Sequence, residues 1–426
     1  MNTDTKRAEI LKYLCLGVSY AFSYAYVNIF DKFHSRLYTT IYLTLLAIGA
    51  IVWLEMTIRQ KCLAEGIEPA GMQKIEPRFW EGILLLLSIG SCRGDFPLLS
   101  YFFMHMVVIY MVLCGTGHLL TESSSCLMPL DLVNGCIRIP FKNIFSRFFT
   151  LLEILTNRKK EDSEEKPFVR TIGILAVLGL FGIIFLIALE NLASMDKNFL
   201  YLEQCIDEYL ANLSISGFIA KFLVSLPVGA FLFGLYQGAT RMDQQEEKDY
   251  HERLTQDSLK FRFMPDLLLS FVIGAFILVY LAFFISQSGY MFSAFAGILP
   301  EKYTASEYAV SGFHELINVV ILNFLLLICV RLFGSHENRI LRILSVIVMG
   351  ESLIFSCISA SKIILYMSRF GYTISRTLGL WGTIVVFAGA ICAIIYLLKE
   401  KRTFLPWLWF SAGSYVTMQF ITWAFV

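Results

Sequence analysis

Charged side chains are scarce in this sequence, and their scarcity narrows the class of protein. Asp, Glu, Lys and Arg together make up only 16% of the 426 residues, while 57% of the residues are hydrophobic. Soluble domains have about 25% charged and about 45–50% apolar residues. This composition excludes a soluble enzyme and a disordered protein. The formal net charge is only +1, so we also expect no nucleic-acid partner.

Recognisable catalytic and metal-binding motifs are also missing. The ten cysteines include no CxxC pair, and no group of Cys and His has the spacing of a zinc site. The chain contains no P-loop, HExxH, GxSxG or dinucleotide fingerprint. Most cysteines lie in or beside apolar runs, where cysteine behaves as a small hydrophobe. We therefore expect no disulfide, no metal and no cofactor, and the sequence leans against an enzyme without deciding the question.

Long apolar runs are what the sequence does contain. A helix needs about 20 mainly apolar residues to cross the hydrocarbon core of a bilayer. The runs predict an all-α fold, a polytopic transmembrane helix bundle with about 11 spans, within a range of 10 to 12. The expected spans are 11–30, 38–58, 80–92, 97–120, 169–193, 215–238, 265–288, 305–332, 341–367, 377–398 and 404–425. The third run is short, so it is either a full span or a re-entrant segment.

The Lys and Arg residues of the loops indicate the orientation. Loops 59–78, 121–170, 239–263 and 398–403 hold four, eight, five and three of them. Three of the intervening loops hold one each. Because cytoplasmic loops carry an excess of Lys and Arg, this pattern predicts a cytoplasmic N-terminus and an external C-terminus.

Site-specific labelling tests this orientation. Cysteines substituted for Asp196 and Asp243 should react with a membrane-impermeant maleimide from opposite sides of the membrane, because the two loops that contain them alternate in Lys and Arg content. Labelling of both positions from the same side would contradict the predicted topology.

The long basic loop suggests a division of the chain into three parts. We expect an N-terminal block of about four spans at 1–120, a cytoplasmic amphipathic loop and charged linker at 121–168, and a C-terminal block of about seven spans at 169–426. Within the loop, residues 141–149 pair aromatic with basic side chains, as an interfacial helix does. The basic residues predicted to contact lipid or the interface are Arg138, Lys142, Arg147 and Arg376.

Polar side chains inside the spans require a reason, because an ionisable group near the bilayer centre costs about 2.5–3.5 kcal/mol. In the eighth predicted span they recur at helical spacing: Glu307, Ser311, His314, Glu315 and Asn318. One hypothesis is a proton-linked or cation-linked site that lines a cavity, with His314 able to titrate near neutral pH. The alternative is that these groups lie at the interface and hydrogen-bond to neighbouring helices.

The ninth predicted span carries Glu351 and Lys362, with Tyr366 continuing the same stripe. Eleven residues are about three helical turns, so Glu351 and Lys362 point the same way about 16 Å apart and do not pair directly. We expect Lys362 to pair with Glu307 or Glu315 of the preceding helix. Such a pair either belongs to a transport pathway or only fixes the helix register.

Three short stretches carry a family resemblance. They are Leu-Asp-Leu-Val-Asn-Gly running into Pro-Phe at 130–141, Glu-Tyr-Ala followed by Gly-Phe at 307–313, and Tyr followed by Gly-Tyr-Thr and Arg at 366–376. They resemble an uncharacterised family of bacterial multi-pass proteins, the domain of unknown function four-one-seven-three and its relatives. The sequence departs from that pattern at Val310, where an arginine is expected, and at Tyr372, where a leucine is usual. The resemblance implies a multi-pass protein of the bacterial cytoplasmic membrane and no established activity.

Two functions fit these features. The first is a transporter or permease-like protein for a small or lipidic solute, with the polar residues of the eighth and ninth spans along its pathway. The second is a non-transporting membrane sensor or partner-binding subunit that acts through loops 121–168 and 239–263. The expected partners are the lipid bilayer, a small solute or lipid, and a membrane or cytoplasmic protein.

Overall fold

The computed structural model shows a protein built from helices. It describes residues 3–29, 36–65, 75–91, 97–121, 123–157, 217–241, 264–297, 305–335 and 338–425, with the single residues 253, 256 and 262. In these ranges every regular element is a helix, which confirms the predicted all-α class.

The described helices are numbered in chain order. They are α1 Thr3–Asn28, α2 Arg36–Glu65, α3 Ile75–Gly90, α4 Pro97–Thr116, α5 Met128–Val133, α6 Ile139–Lys142, α7 Ser146–Asn157, α8 Gly217–Arg241, α9 Asp266–Phe292, α10 Ala305–Phe333, α11 Arg339–Phe370, α12 Ile374–Lys399 and α13 Phe404–Phe425. A π-helical turn, Asn134–Arg138, joins α5 to α6, and a 3₁₀ turn, Ser293–Ala296, follows α9.

Eight helices in the described residues are long and apolar enough to cross a membrane. These candidate spans are Lys6–Asn28, Leu37–Ala64, Leu98–Thr116, Ala220–Thr240, Asp266–Ala296, Phe313–Phe333, Arg339–Phe370 and Ile374–Lys399. Each corresponds to one of the eleven expected spans, and the predicted polytopic helix bundle is confirmed. The protein is therefore an integral, multi-pass membrane protein.

The other three expected spans have different outcomes. The run at 80–92 lies mostly in α3, whose 16 residues extend about 24 Å. The run at 404–425 forms the helix α13. The run at 169–193 lies outside the described residues. The count of eleven and the orientation of the termini therefore stay predictions.

The chain folds as two compact units. Unit 1 comprises Met1–Glu122 and Met128–Met242, and unit 2 comprises Ser123–Leu127 and Asp243–Val426. The three-part division expected from the loops stays a prediction.

Aromatic contacts join the helices of unit 1. In this unit α1 packs against α2 and α8, and α3 packs against α2 and α4. The buried ring of Trp53 on α2 stacks on Tyr236 of α8, with their centroids 4.3 Å apart. The ring of Trp80 on α3 meets the ring of Tyr110 on α4 edge-on, with their centroids 5.4 Å apart. These large rings fill the space between the packed helices of unit 1.

Helix α11 lies at the centre of unit 2, because it packs against α9, α10 and α12. Its apolar side chains contribute to two clusters. One cluster includes Val348 with Ile273 of α9 and Val330 of α10. The other includes Phe355 with Tyr280 and Val320. The long helix therefore contacts three other helices, and a polar side chain on the faces toward them is enclosed by protein.

Candidate functional site

The polar side chains of α11 form a buried column along one side of the helix. The column consists of Ser345, Ser352, Ser356, Ser359 and Lys362, all of them buried. Their spacings of seven, four, three and three residues keep them on one side, since an α-helix turns every 3.6 residues. Ser352 and Ser356 donate hydrogen bonds to carbonyls one turn earlier. The hydroxyl of Ser359 has no hydrogen-bond partner in the described part of the chain.

Side-chain hydrogen bonds link the beginning of α11 to the beginning of α9. Asn338 caps the helix, since its side-chain oxygen accepts from the backbone N–H of Ile340 at 2.9 Å and of Leu341 at 3.3 Å. The amide nitrogen of Asn338 donates to Asp266, the first residue of α9, at 3.0 Å. The other oxygen of Asp266 accepts from the backbone N–H of Ser335 at 2.9 Å. The beginnings of α9 and α11 are thus held together.

A hydrogen-bonded chain crosses three helices at the level of Ser352. The hydroxyl of Tyr280 on α9 donates to the side-chain oxygen of Asn323 on α10 at 2.7 Å. The amide nitrogen of Asn323 donates to the hydroxyl of Ser352 on α11 at 2.9 Å. All three residues are buried. Because buried polar groups are costly unless paired, this chain specifies how the three helices align.

Lys362 is the buried cation of the column, with only 1% of its surface exposed. Its ammonium nitrogen lies 3.8 Å from the centroid of the Tyr290 ring, a cation–π contact. The expected pairing of Lys362 with Glu315 of α10 stays a prediction. The other expected partner, Glu307, has a side chain outside the described residues.

Glu351 and Tyr366 lie on either side of Lys362 along α11. Glu351 is half-buried, and one of its carboxylate oxygens is buried with no hydrogen-bond partner among the described residues. Tyr366 is half-buried, and the guanidinium carbon of Arg376 lies 4.1 Å from the centroid of its ring. The Arg376 guanidinium also donates to the backbone oxygen of Gly371 at 2.7 Å.

The predicted polar face of α10 is only partly described. His314, Glu315 and Asn318 are exposed, whereas Leu316 and Val320 between them are buried. The structure therefore does not gather these three polar residues inside unit 2 with Lys362. The predicted residues Glu307 and Ser311 belong to the same helix, and their side chains lie outside the described residues.

A comparison with known protein families finds a match over most of the chain. The family described as Domain of unknown function (DUF4153) matches residues 82–426, well over half of the chain. The chain belongs to the DUF4153 family. The resemblance drawn from three short stretches is therefore wrong about which family of unknown function this is, because stretches of a few residues do not separate one such family from another. No curated protein and no solved structure matches the chain.

The matched DUF4153 region contains the whole buried column of α11 and several site residues that the sequence did not single out. The residues missed are Tyr280, Tyr290, Asn323 and the column serines. One available signal was the polar Asn323 within an otherwise apolar stretch of α10. Another was the four-residue and three-residue spacing of serines in α11. Among the described residues, no three His, Cys, Asp or Glu side chains lie close enough together to hold a metal ion.

The basic residues that were predicted to contact lipid or the interface differ in exposure. In the DUF4153 chain, Lys142 is exposed, Arg138 and Arg376 are half-buried, and Arg147 is buried. Three of them are therefore reachable from outside the protein. Arg147 lies inside unit 1, where it contacts other helices.

Proposed function

We propose that this DUF4153 protein is a transporter or permease-like protein for a small or lipidic solute, and that the column of α11 is its binding site. The observation that carries the proposal is the burial of Lys362 beside Ser359. The two residues are three positions apart on α11, so their side chains neighbour each other on one side of the helix. Both are buried, and the Ser359 hydroxyl has no partner among the described residues.

The energetic cost of this arrangement favours a functional role over a purely structural one. A lysine inside a membrane helix costs about 2.5–3.5 kcal/mol on insertion scales, and such residues usually mark solute or ion pathways. An ammonium group and a hydroxyl together can bind a carboxylate, a phosphate or a carbonyl oxygen.

Reconstitution into liposomes tests the proposal with one lipid assay and one solute assay. In the lipid assay, dithionite quenching follows the transfer of fluorescent phosphatidylethanolamine and phosphatidylglycerol between leaflets. In the solute assay, the uptake of radiolabelled amino acids, small carboxylates and inorganic phosphate is measured. We expect wild-type protein to accelerate transfer in one of the two assays relative to empty liposomes.

Substitutions then locate the site. Lys362→Met should lower the rate about tenfold or more, since a hydrogen bond to a charged group contributes about 1.5–3 kcal/mol and 1.4 kcal/mol is tenfold. Ser359→Ala should lower it less, because only a neutral group is removed. Lys401→Met, at an exposed cation beyond α12, is the matched control and should retain the wild-type rate.

The outcomes separate the two functions. Transfer that disappears in Lys362→Met and persists in Lys401→Met supports the proposal. If wild type accelerates neither assay, or if Lys362→Met transfers as fast as wild type, the transport proposal fails and a non-transporting sensor or partner-binding subunit becomes the better hypothesis.

A further inference from the structure

The segment Met128–Asn157 in unit 1 exposes a stripe of apolar side chains and buries several polar side chains on its other side. The outer stripe consists of Leu130, Val133, Ile137, Phe141, Phe145 and Phe149, each between 44% and 61% exposed. On the inner side of α7, Ser146, Arg147 and Thr150 are buried. Because lipid chains are as apolar as these phenylalanines, a membrane protein can present such a stripe outward and place polar groups against its other helices.

Arg147 reaches from α7 into the contact between α1 and α8, and only 4% of its surface is exposed. Its Nε donates to the hydroxyl of Ser19 on α1 at 3.1 Å. Its Nη1 donates to the backbone oxygen of Leu226 on α8 at 3.0 Å. The guanidinium carbon lies 3.5 Å from the centroid of the Tyr20 ring. A hydrogen bond to a side chain, a hydrogen bond to the backbone and a cation–π contact therefore hold the planar guanidinium in one orientation.

The partners of Arg147 lie well inside two candidate spans. Ser19 and Tyr20 are at least eight residues from either end of Lys6–Asn28, and Leu226 is six residues into Ala220–Thr240. At 1.5 Å per residue, these distances correspond to about 9 Å or more along each helix. Gly229 on α8 leaves space for the Arg147 side chain, because a Cβ on this residue would collide with the guanidinium.

The charge of Arg147 is not balanced by the described residues. None of them offers it a carboxylate, and its Nη2 is buried with no hydrogen-bond partner. The carboxylate of α7, Glu153, is paired with Lys12 at 2.5 Å. A guanidinium stays protonated in proteins, so Arg147 carries its positive charge at neutral pH. A buried charge without a partner is strongly unfavourable, so an anion beside Nη2 would be bound favourably.

We propose that Arg147, held by Ser19, Tyr20 and Leu226, is a binding site for a phosphate-type oxyanion, either the phosphate of a lipid or inorganic phosphate. The guanidinium is suited to this role, since its planar fork of N–H donors matches the oxygens of a phosphate. Tyr20 is half-buried and stacks on the exposed ring of Phe222 at 6.4 Å. These two rings connect Arg147 to the apolar outside of unit 1, where the chains of a lipid would lie. The site is in unit 1 and does not depend on the proposed transport function.

Thermal unfolding of the detergent-purified protein tests this site. One titration uses sodium phosphate against sodium chloride of equal ionic strength. The other uses dioctanoyl phosphatidylglycerol against dioctanoyl phosphatidylcholine. A ligand that binds only the folded state raises the unfolding midpoint in a saturable way, and we expect a rise of about 2–5 °C near saturation. A rise with phosphatidylglycerol alone identifies a lipid phosphate, and a rise with inorganic phosphate identifies the free ion.

Three variants assign the response to Arg147. Arg147→Gln should abolish the rise, and Arg147→Lys, which keeps the charge but loses the fork, should weaken the apparent affinity about three- to tenfold. Arg402→Gln is the control, because this arginine is exposed and lies in the short connection between α12 and α13. It should retain the wild-type response.

Two results would overturn the site. The first is the absence of a saturable rise in wild type with either anion, which needs no variant and stands even if Arg147→Gln fails to fold. The second is a full response in Arg147→Gln or Arg147→Lys with unchanged affinity, which would place the anion elsewhere.

Discussion

Replacing Gly234 by alanine should lower the free energy of unfolding by about 1–3 kcal/mol, the usual cost of adding a methyl group to a filled interior. Gly234 lies on α8 where this helix packs against α6 and the turn after it. A Cβ at this position would lie 2.7 Å from the backbone oxygen of Pro140 and 3.2 Å from that of Asn143. Backbone atoms cannot rotate away as a side chain can, so the two segments would have to separate.

The measurement is the midpoint of thermal unfolding in detergent, followed by tryptophan fluorescence. We expect Gly234→Ala to lower it by about 3–8 °C. Gly17→Ala is the control, because Gly17 also lies within a helix of unit 1 but a Cβ there meets nothing within 4 Å. Its midpoint should stay the same or rise, since alanine favours a helix over glycine by up to about 1 kcal/mol. Equal midpoints for the two variants would show that α6 does not need this close approach.

The helices of this protein could be predicted from the sequence because their signal is local. The length of an apolar run predicts a span without knowledge of its neighbours, and the expected span at 341–367 lies within the observed Arg339–Phe370. The same kind of signal identified Lys362, because an ionisable residue stands out in an apolar run. The contacts of Lys362 with Tyr290, 72 residues earlier in the chain, depend on how two helices pack, which no local pattern contains.

The direction in which a polar face points was the part that could not be predicted. Helical spacing correctly groups residues that share a face, but it does not say whether that face meets protein, lipid or water. In α10 the pattern selected His314 and Asn318, which are exposed, while the inward face carries Val320 and Asn323. In a soluble protein the apolar face of a helix points to the interior. In a membrane both the protein interior and the lipid are apolar, so hydrophobicity does not tell which of them a face meets.

The segment around Arg147 shows the same limit. Phe145 and Phe149 alternate with basic residues, a pattern typical of an interfacial helix. The phenylalanines are exposed, as that pattern predicts, but Arg147 lies on the opposite side and is buried. Its partners Ser19 and Leu226 are 128 and 79 residues away in the chain. Only the packing of α1, α7 and α8 brings them together.

Replacing Asn323 by leucine should lower the free energy of unfolding by about 1–3 kcal/mol, the cost of leaving a buried donor without its acceptor. Asn323 accepts from the Tyr280 hydroxyl and donates to the Ser352 hydroxyl. Ser352 keeps its hydrogen bond to the backbone oxygen of Val348. The group left without a hydrogen-bond partner is therefore mainly the Tyr280 hydroxyl. Hydrogen bonds between membrane helices average only about 0.6 kcal/mol, so the stranded hydroxyl of Tyr280 should account for most of the effect.

Thermal unfolding of single and double variants separates these contributions. Tyr280→Phe removes the hydroxyl that Asn323→Leu strands, so the double variant should be less destabilised than the sum of the two single variants by at least about 0.5 kcal/mol. Asn318→Leu, five residues earlier on α10 and exposed, is the matched control and should change stability by no more than about 0.5 kcal/mol. Additive losses in the double variant would mean that Asn323 does not hold Tyr280. A loss in Asn318→Leu as large as in Asn323→Leu would mean that the outward face of α10 contributes to stability as much as the buried hydrogen-bonded chain does.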